Sequence, residues 1–236
     1  MVETFNSKQK IARTAGLLYL MLAITSAYGL MYVSSQIYIS GDAIATADNI
    51  LANEFLYRSG IFSNLISQAI FIFLVFTLYR LFKEVNIQQA RIMVTLVIVS
   101  IPIVFVSEVF EIIALLILKG EALKALDPQL RPEWAMLFQK MNSTTTLVAV
   151  LFWGLWLIPF GQLAYKSGFI PKVIGILLIV GGVAYVIQVA TALLFPEFKS
   201  IVSKWTSIFP TVAELSTILW LLIKGVSQKT GTSSVL

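Results

Sequence analysis

The chain has 236 residues, of which 58% are hydrophobic and only 12% charged, about half the charged share of an ordinary soluble protein. Its net charge of +5 is not gathered into a basic stripe but falls in short clusters between apolar segments, which excludes nucleic acid as a partner. With no cysteine and no histidine, disulfides, thiol nucleophiles, ordinary haem ligation, most zinc sites and Ser-His chemistry are excluded as well, and no cofactor is expected.

Several apolar runs reach the roughly 20 residues that cross a bilayer as helix. Six spans are predicted, near residues 12–34, 59–82, 91–118, 144–165, 171–194 and 209–227. The first follows Lys8, Lys10 and Arg13 and runs from Ala15 to Val33. That is longer than the apolar core of a signal peptide, and no small-x-small cleavage site closes it, so it reads as a retained membrane helix.

Between spans one and two lies GDAIATADNILANEF. Asp42 suits an N-cap, and Ile44, Ala47, Leu51 and Phe55 fall near one helical face. The segment reads as an amphipathic helix on the outer surface that leads into span two. Before span four, RPEWAMLFQKMN offers Pro132 as the start of a helix that runs on into the span. Trp134 and Trp205 suit an interfacial aromatic belt. Gly168 ends span four and Pro171 opens span five, a turn flanked by Lys166 and Lys172.

One set of span ends carries Lys8, Lys10, Arg13, Arg80, Lys83, Arg91, Lys166, Lys172, Lys224 and Lys229 against Glu3 and Glu84. The opposite set is nearly balanced. The positive-inside rule therefore puts both termini in the cytoplasm. The expected fold is all-α: a polytopic membrane protein, a six-transmembrane-helix bundle with an outer-surface amphipathic helix. Residues 1–226 form its single domain and 227–236 a short disordered tail. The expected location is the plasma membrane.

Chemistry is sparse, and it is one-sided. VSEVFEII places Glu108 and Glu111 on one face of span three, roughly 16 and 12 Å below its outer end. Asn64 and Gln68 share a face in the outer half of span two, below Arg58. Lys140 and Asn142 sit at the outer mouth of span four, Gln188 in the outer half of span five, and Glu214 near the outer end of span six. The inner halves (IFIFLVF, VTLVIVS, IGILLIV, TILWLL) carry almost nothing ionisable.

A charge at the bilayer centre costs a few kcal/mol or more unless it faces protein or water and finds partners. The nine residues Arg58, Asn64, Gln68, Glu108, Glu111, Lys140, Asn142, Gln188 and Glu214 are thus the candidate ligand-binding set, around a polar pocket open to the outside. The competing reading is a buried ion-pair network, in which Arg58 and Lys140 neutralise the glutamates. Asn64 and Gln68 taken alone are the kind of amide that joins helices. Asp42 and Asp48 are six apart, no metal-site spacing, and no metal is expected.

GDAIATADNILANEFLYRSGIF, SGFIPKVIGILLIVGGVAYVI and AELSTILWLLIKGV resemble three stretches of the bacterial domain of unknown function 4386 family. The likeness in pattern and order covers nearly the whole chain. It implies a compact prokaryotic membrane protein and carries no catalytic residues across. Gly41, Asp42, Thr46, Arg58, Ser167, Gly168, Pro171, Gly175, Gly182, Tyr185, Glu214, Trp220 and Gly225 match the family pattern; Glu108 and Glu111 lie outside these stretches.

The leading functional expectation is a receptor- or sensor-like module that takes a lipid or a small amphiphilic ligand from the outer side. A transporter is the second reading, since two sets of three spans run in opposite senses. An inverted repeat, however, would put equivalent groups in opposite leaflets, and the three glutamates share one. An intramembrane enzyme using paired carboxylates as acid and base is the third, and a helical interaction partner without a ligand the fourth. Oligomeric state is not legible.

Overall fold

The computed structural model describes residues 2–226. It is all-helical, and six helical stretches are long and apolar enough to cross a membrane: Asn6–Ile37, Glu54–Phe82, Ile87–Leu118, Pro128–Ser167, Lys172–Leu194 and Pro196–Ile223. The tail 227–236, read from the sequence as disordered, lies outside the described residues.

In chain order, α1 (Val2–Ser26) continues through a π-helical stretch, Ala27–Val33, into α2 (Ser34–Ile37). There follow α3 (Ala43–Ala52), α4 (Glu54–Phe82), α5 (Ile87–Leu118), α6 (Arg131–Ser167), α7 (Lys172–Leu194), α8 (Lys199–Thr206) and α9 (Ile208–Ile223). Pro132 does sit in the first turn of a helix that continues into span four, where its missing N–H is harmless. Pro102 and Pro159 stay inside α5 and α6. The sequence does not announce α8, which separates from α9 at Ser207.

The chain falls into two compact units. One comprises the described residues of Met1–Leu20, Ile72–Ile98 and Val150–Leu236, the other Met21–Phe71 and Val99–Ala149. The divisions fall inside helices, so no linker marks them in the sequence.

In the first unit, α6 and α7 approach through glycines in an antiparallel register. A Cβ on Gly154 would lie 2.8 Å from the carbonyl oxygen of Gly182, and one on Gly161 2.6 Å from that of Gly175. Both pairs are seven residues apart along their helices, so they recur on one face and let the backbones close up. Packing elsewhere in the unit is aromatic. Trp156 and Phe160 stack at 5.2 Å, Phe82 meets Phe160 edge-on at 5.7 Å and stacks on Phe169 at 5.5 Å.

Turn chemistry closes the ends of this unit. Gly168 takes a positive φ of 73°, and the Ser167 hydroxyl accepts from the N–H groups of Phe169 and Ile170. Trp220 of α9 donates to the Phe169 carbonyl at 3.2 Å. Gln9 of α1 bridges the end of α9, donating to the Lys224 carbonyl and accepting from the Val226 N–H. These bonds satisfy backbone groups that a helix terminus leaves open.

The second unit centres on Val33, Ile37, Ala47, Ile50, Tyr57, Ile61, Ala114, Leu115, Leu118 and Ala135. Asp42 caps α3 by accepting from the Ala45 N–H at 2.9 Å, as its residue type foretells. Within the protein α3 buries a face of mixed polarity. Thr46, Ala47 and Ile50 turn inward, while Ile44 and Leu51 stay exposed and Phe55 already belongs to α4. The reason is polar: Thr46 exchanges hydrogen bonds with the backbone of Ile39, and Asn49 donates to the Ile37 carbonyl. Those bonds fix the helix rotation and leave the greasier face outward.

Candidate functional site

The site lies in the second unit and begins with the two glutamates of α5. Glu108 is 2% exposed and Glu111 5%. Three residues apart on a helix, they share a face but meet different neighbours. Glu111 is held by phenols. Its Oε2 accepts from Tyr38 at 2.9 Å and, in a shorter bond, from Tyr57, whose hydroxyl also lies 3.1 Å from the Glu111 carbonyl oxygen. Withdrawal from solvent, reinforced by the Glu111 carboxylate, pushes the Tyr38 phenol well above its ordinary range, so it serves as a donor.

Glu108 is only half engaged. Its Oε1 accepts from the Asn64 amide at 3.0 Å, whereas Oε2 has no partner, and neither do Asn64 Oδ1 and Gln68 Oε1. The Gln68 amide donates to Ser67 at 3.1 Å. Asn142 of α6 donates to the Ser107 carbonyl at 2.9 Å, fixing α6 beside the glutamates.

Two glycines bring the helices this close. A Cβ on Gly29 would fall 2.1 Å from Asn64 Oδ1, and one on Gly60 2.8 Å from Val33. Gly29 lies in the π-helical stretch, where the wider turn departs from the regular ladder; such insertions recur at functional sites.

The space left is an inner pocket of about 60 Å³, lined among others by Gly29, Ser34, Tyr57, Asn64, Glu108 and Glu111. A cleft of about 690 Å³ adjoins it, lined by Ile39, Thr46, Met136, Gln139, Lys140 and Thr146 among others. The two share Leu30, Ser34, Tyr38, Glu111 and Asn142.

Of the nine residues singled out from the sequence, Asn64, Glu108, Glu111, Lys140 and Asn142 line these spaces, Lys140 from an exposed position. Gln68 is buried one helical turn beyond Asn64. Arg58 is half-exposed and pairs with Glu54 at 2.7 Å, outside the lining of either space. Gln188 and Glu214 belong to the first unit, where Gln188 takes a long 3.5 Å bond from Thr206 and Glu214 accepts from Tyr19 at 2.9 Å.

Sequence reasoning passes over Tyr38, Tyr57, Gly29 and Gln139. One signal for Tyr57 is present: Tyr57, Ile61, Asn64 and Gln68 recur at four, three and four residues, a single stripe along α4.

Six long apolar helices are the architecture of a multi-pass membrane protein, and in its second unit carboxylates and amides are buried against a cavity. The chain belongs to the family described as domain of unknown function (DUF4386), whose model matches residues 14–225 and so spans every residue of the site. No curated protein and no solved structure matches it.

Proposed function

We propose that the chain is a receptor- or sensor-like protein of the plasma membrane, with both termini cytoplasmic, whose second unit holds a small or amphiphilic ligand taken from the outer side. The carrying observation is the set of buried acceptor oxygens without donors: Glu108 Oε2, Asn64 Oδ1 and Gln68 Oε1, the first two on residues that line the inner pocket. Each buried polar atom left unpaired costs about 1–3 kcal/mol.

The ion-pair alternative finds no support. Among the described residues the salt bridges are Lys8–Glu84, Arg58–Glu54 and Lys119 with Glu54 and Glu121, and none includes Glu108, Glu111 or Glu214. The adjoining cleft has the size of small-molecule sites, about 300–1,000 Å³.

Native mass spectrometry of gently extracted protein tests this reading. Wild type should retain a bound molecule, and Thr146→Trp, which projects an indole into the cleft, should lose it while remaining folded. An empty wild type, or retention unchanged in the folded variant, counts against the pocket.

A further inference from the structure

Resting on that reading, we infer that the inner pocket takes the ammonium head of a primary amine whose apolar body occupies the adjoining cleft.

Each donor side chain that lines the pocket already has a partner within the protein. Tyr38 and Tyr57 give their hydroxyls to Glu111, Asn64 its amide to Glu108, Asn142 its amide to the Ser107 carbonyl, and Ser34 its hydroxyl to the Gly29 carbonyl at 3.4 Å. Two acceptors remain: Glu108 Oε2, on a side chain 2% exposed, and Asn64 Oδ1, on one 9% exposed. No lysine or arginine lines the inner pocket, and the cation of the cleft, Lys140, is exposed.

A site with two carboxylates, spare acceptors and no internal cation is complementary to a group that both donates and carries positive charge. An alkylammonium has three N–H donors and does both. A carboxylate or phosphate ligand would meet like charge from Glu108 and Glu111, with no lysine or arginine in the lining to offset it. Size agrees. About 60 Å³ is room for roughly two water-sized groups, matching a nitrogen and the methylene that bears it. Beyond it, Leu30, Ile39 and Met136 give the cleft an apolar wall for a larger body.

The test uses the full chain in detergent and three probes of nearly one shape: 2-phenylethylammonium, 2-phenylethanol and phenylacetate, followed by titration calorimetry and thermal unfolding. The ammonium should bind about tenfold or more tighter than the alcohol, the margin of a charge-assisted hydrogen bond, and phenylacetate should not bind. Glu108→Gln should bring the ratio of ammonium to alcohol affinity down to about one. Should that variant not fold, the order of the three probes on wild type decides alone.

Equal binding of alcohol and ammonium, or a preference that survives Glu108→Gln, overturns the amine and leaves the pocket standing. So does failure of all three probes when gently extracted wild type still retains a molecule. Failure of all three together with an empty wild type removes both.

Discussion

Tyr57 of α4 directs a single hydroxyl at two oxygens of Glu111 on α5, the side-chain Oε2 and the main-chain carbonyl. The phenol thereby fixes both the rotamer of the carboxylate and the depth at which the two helices meet. Tyr38 approaches the same Oε2 from beyond the end of α2.

Tyr57→Phe keeps the ring and removes this donor. Glu111 is then buried with one phenol instead of two, so stability should fall by about 1–3 kcal/mol, the cost of under-satisfying a buried polar group. Tyr38→Phe should cost less, because Tyr38 is 37% exposed and meets one oxygen of Glu111, whereas Tyr57 is 2% exposed and meets two. Thermal unfolding in detergent ranks the two, and a Tyr57→Phe with Glu111→Gln cycle should return a coupling of about 0.5–3 kcal/mol. Additive single effects would detach the pair.

Gly29 is held to glycine by its neighbour's side chain rather than by its backbone. A methyl there would press on Asn64 Oδ1 from 2.1 Å, so Asn64 must move and release Glu108. Gly29→Ala should destabilise by about 1–3 kcal/mol, the range for overpacking. Asn64→Ala in the same chain should recover most of the steric part, because the amide is gone and only the Gly60 carbonyl remains close, at 3.0 Å. A double variant no more stable than Gly29→Ala alone would place the clash elsewhere.

How much of this was legible follows from the kind of signal each feature leaves. A carboxylate within an apolar run contrasts with everything around it, so Glu108 and Glu111 are found at once, as are the spans and the Asp42 cap. Tyr57 leaves no such contrast, because a tyrosine in a membrane helix reads as packing until its hydroxyl is seen to have a partner. The π-helical stretch has no composition of its own. AYGLMYV is as apolar as its surroundings, and only the close approach of Asn64 gives Gly29 a reason. Glu214 shows the converse. Its depth from the span end is legible, but its partner is not, and the carboxylate accepts from Tyr19 of the first unit.

Two glycines separate clash from strain. Gly161 faces the Gly175 carbonyl, and an added Cβ would sit 2.6 Å away. Gly41 has φ of 79° with nothing within 4 Å of an added Cβ, so its cost is conformational only. Gly41→Ala should therefore cost roughly 1–2 kcal/mol, the left-handed penalty, and Gly161→Ala more, since α6 and α7 must part along the glycine register. Thermal unfolding of the two variants should place Gly161→Ala lower. The reverse order would mean that α6 and α7 separate without loss.

The chain has no cysteine, which makes its orientation directly measurable. Lys83 lies in the turn between α4 and α5, and Lys124 between α5 and α6, so α5 divides them. Cationic residues crowd the first turn, with Arg80, Lys83 and Arg91 against Glu84. The second carries Lys119, Lys124 and Arg131 against Glu121, Asp127 and Glu133. Retention of cationic loops on the cytoplasmic side sets the expected sense. In intact cells a membrane-impermeant maleimide should label Lys124→Cys and spare Lys83→Cys until the cells are opened. The opposite pattern would turn the glutamate cavity toward the cytoplasm, and the ligand would then have to come from inside. Labelling of both in intact cells would mean that α5 does not cross the bilayer, and a buried pair of carboxylates on it would need another explanation.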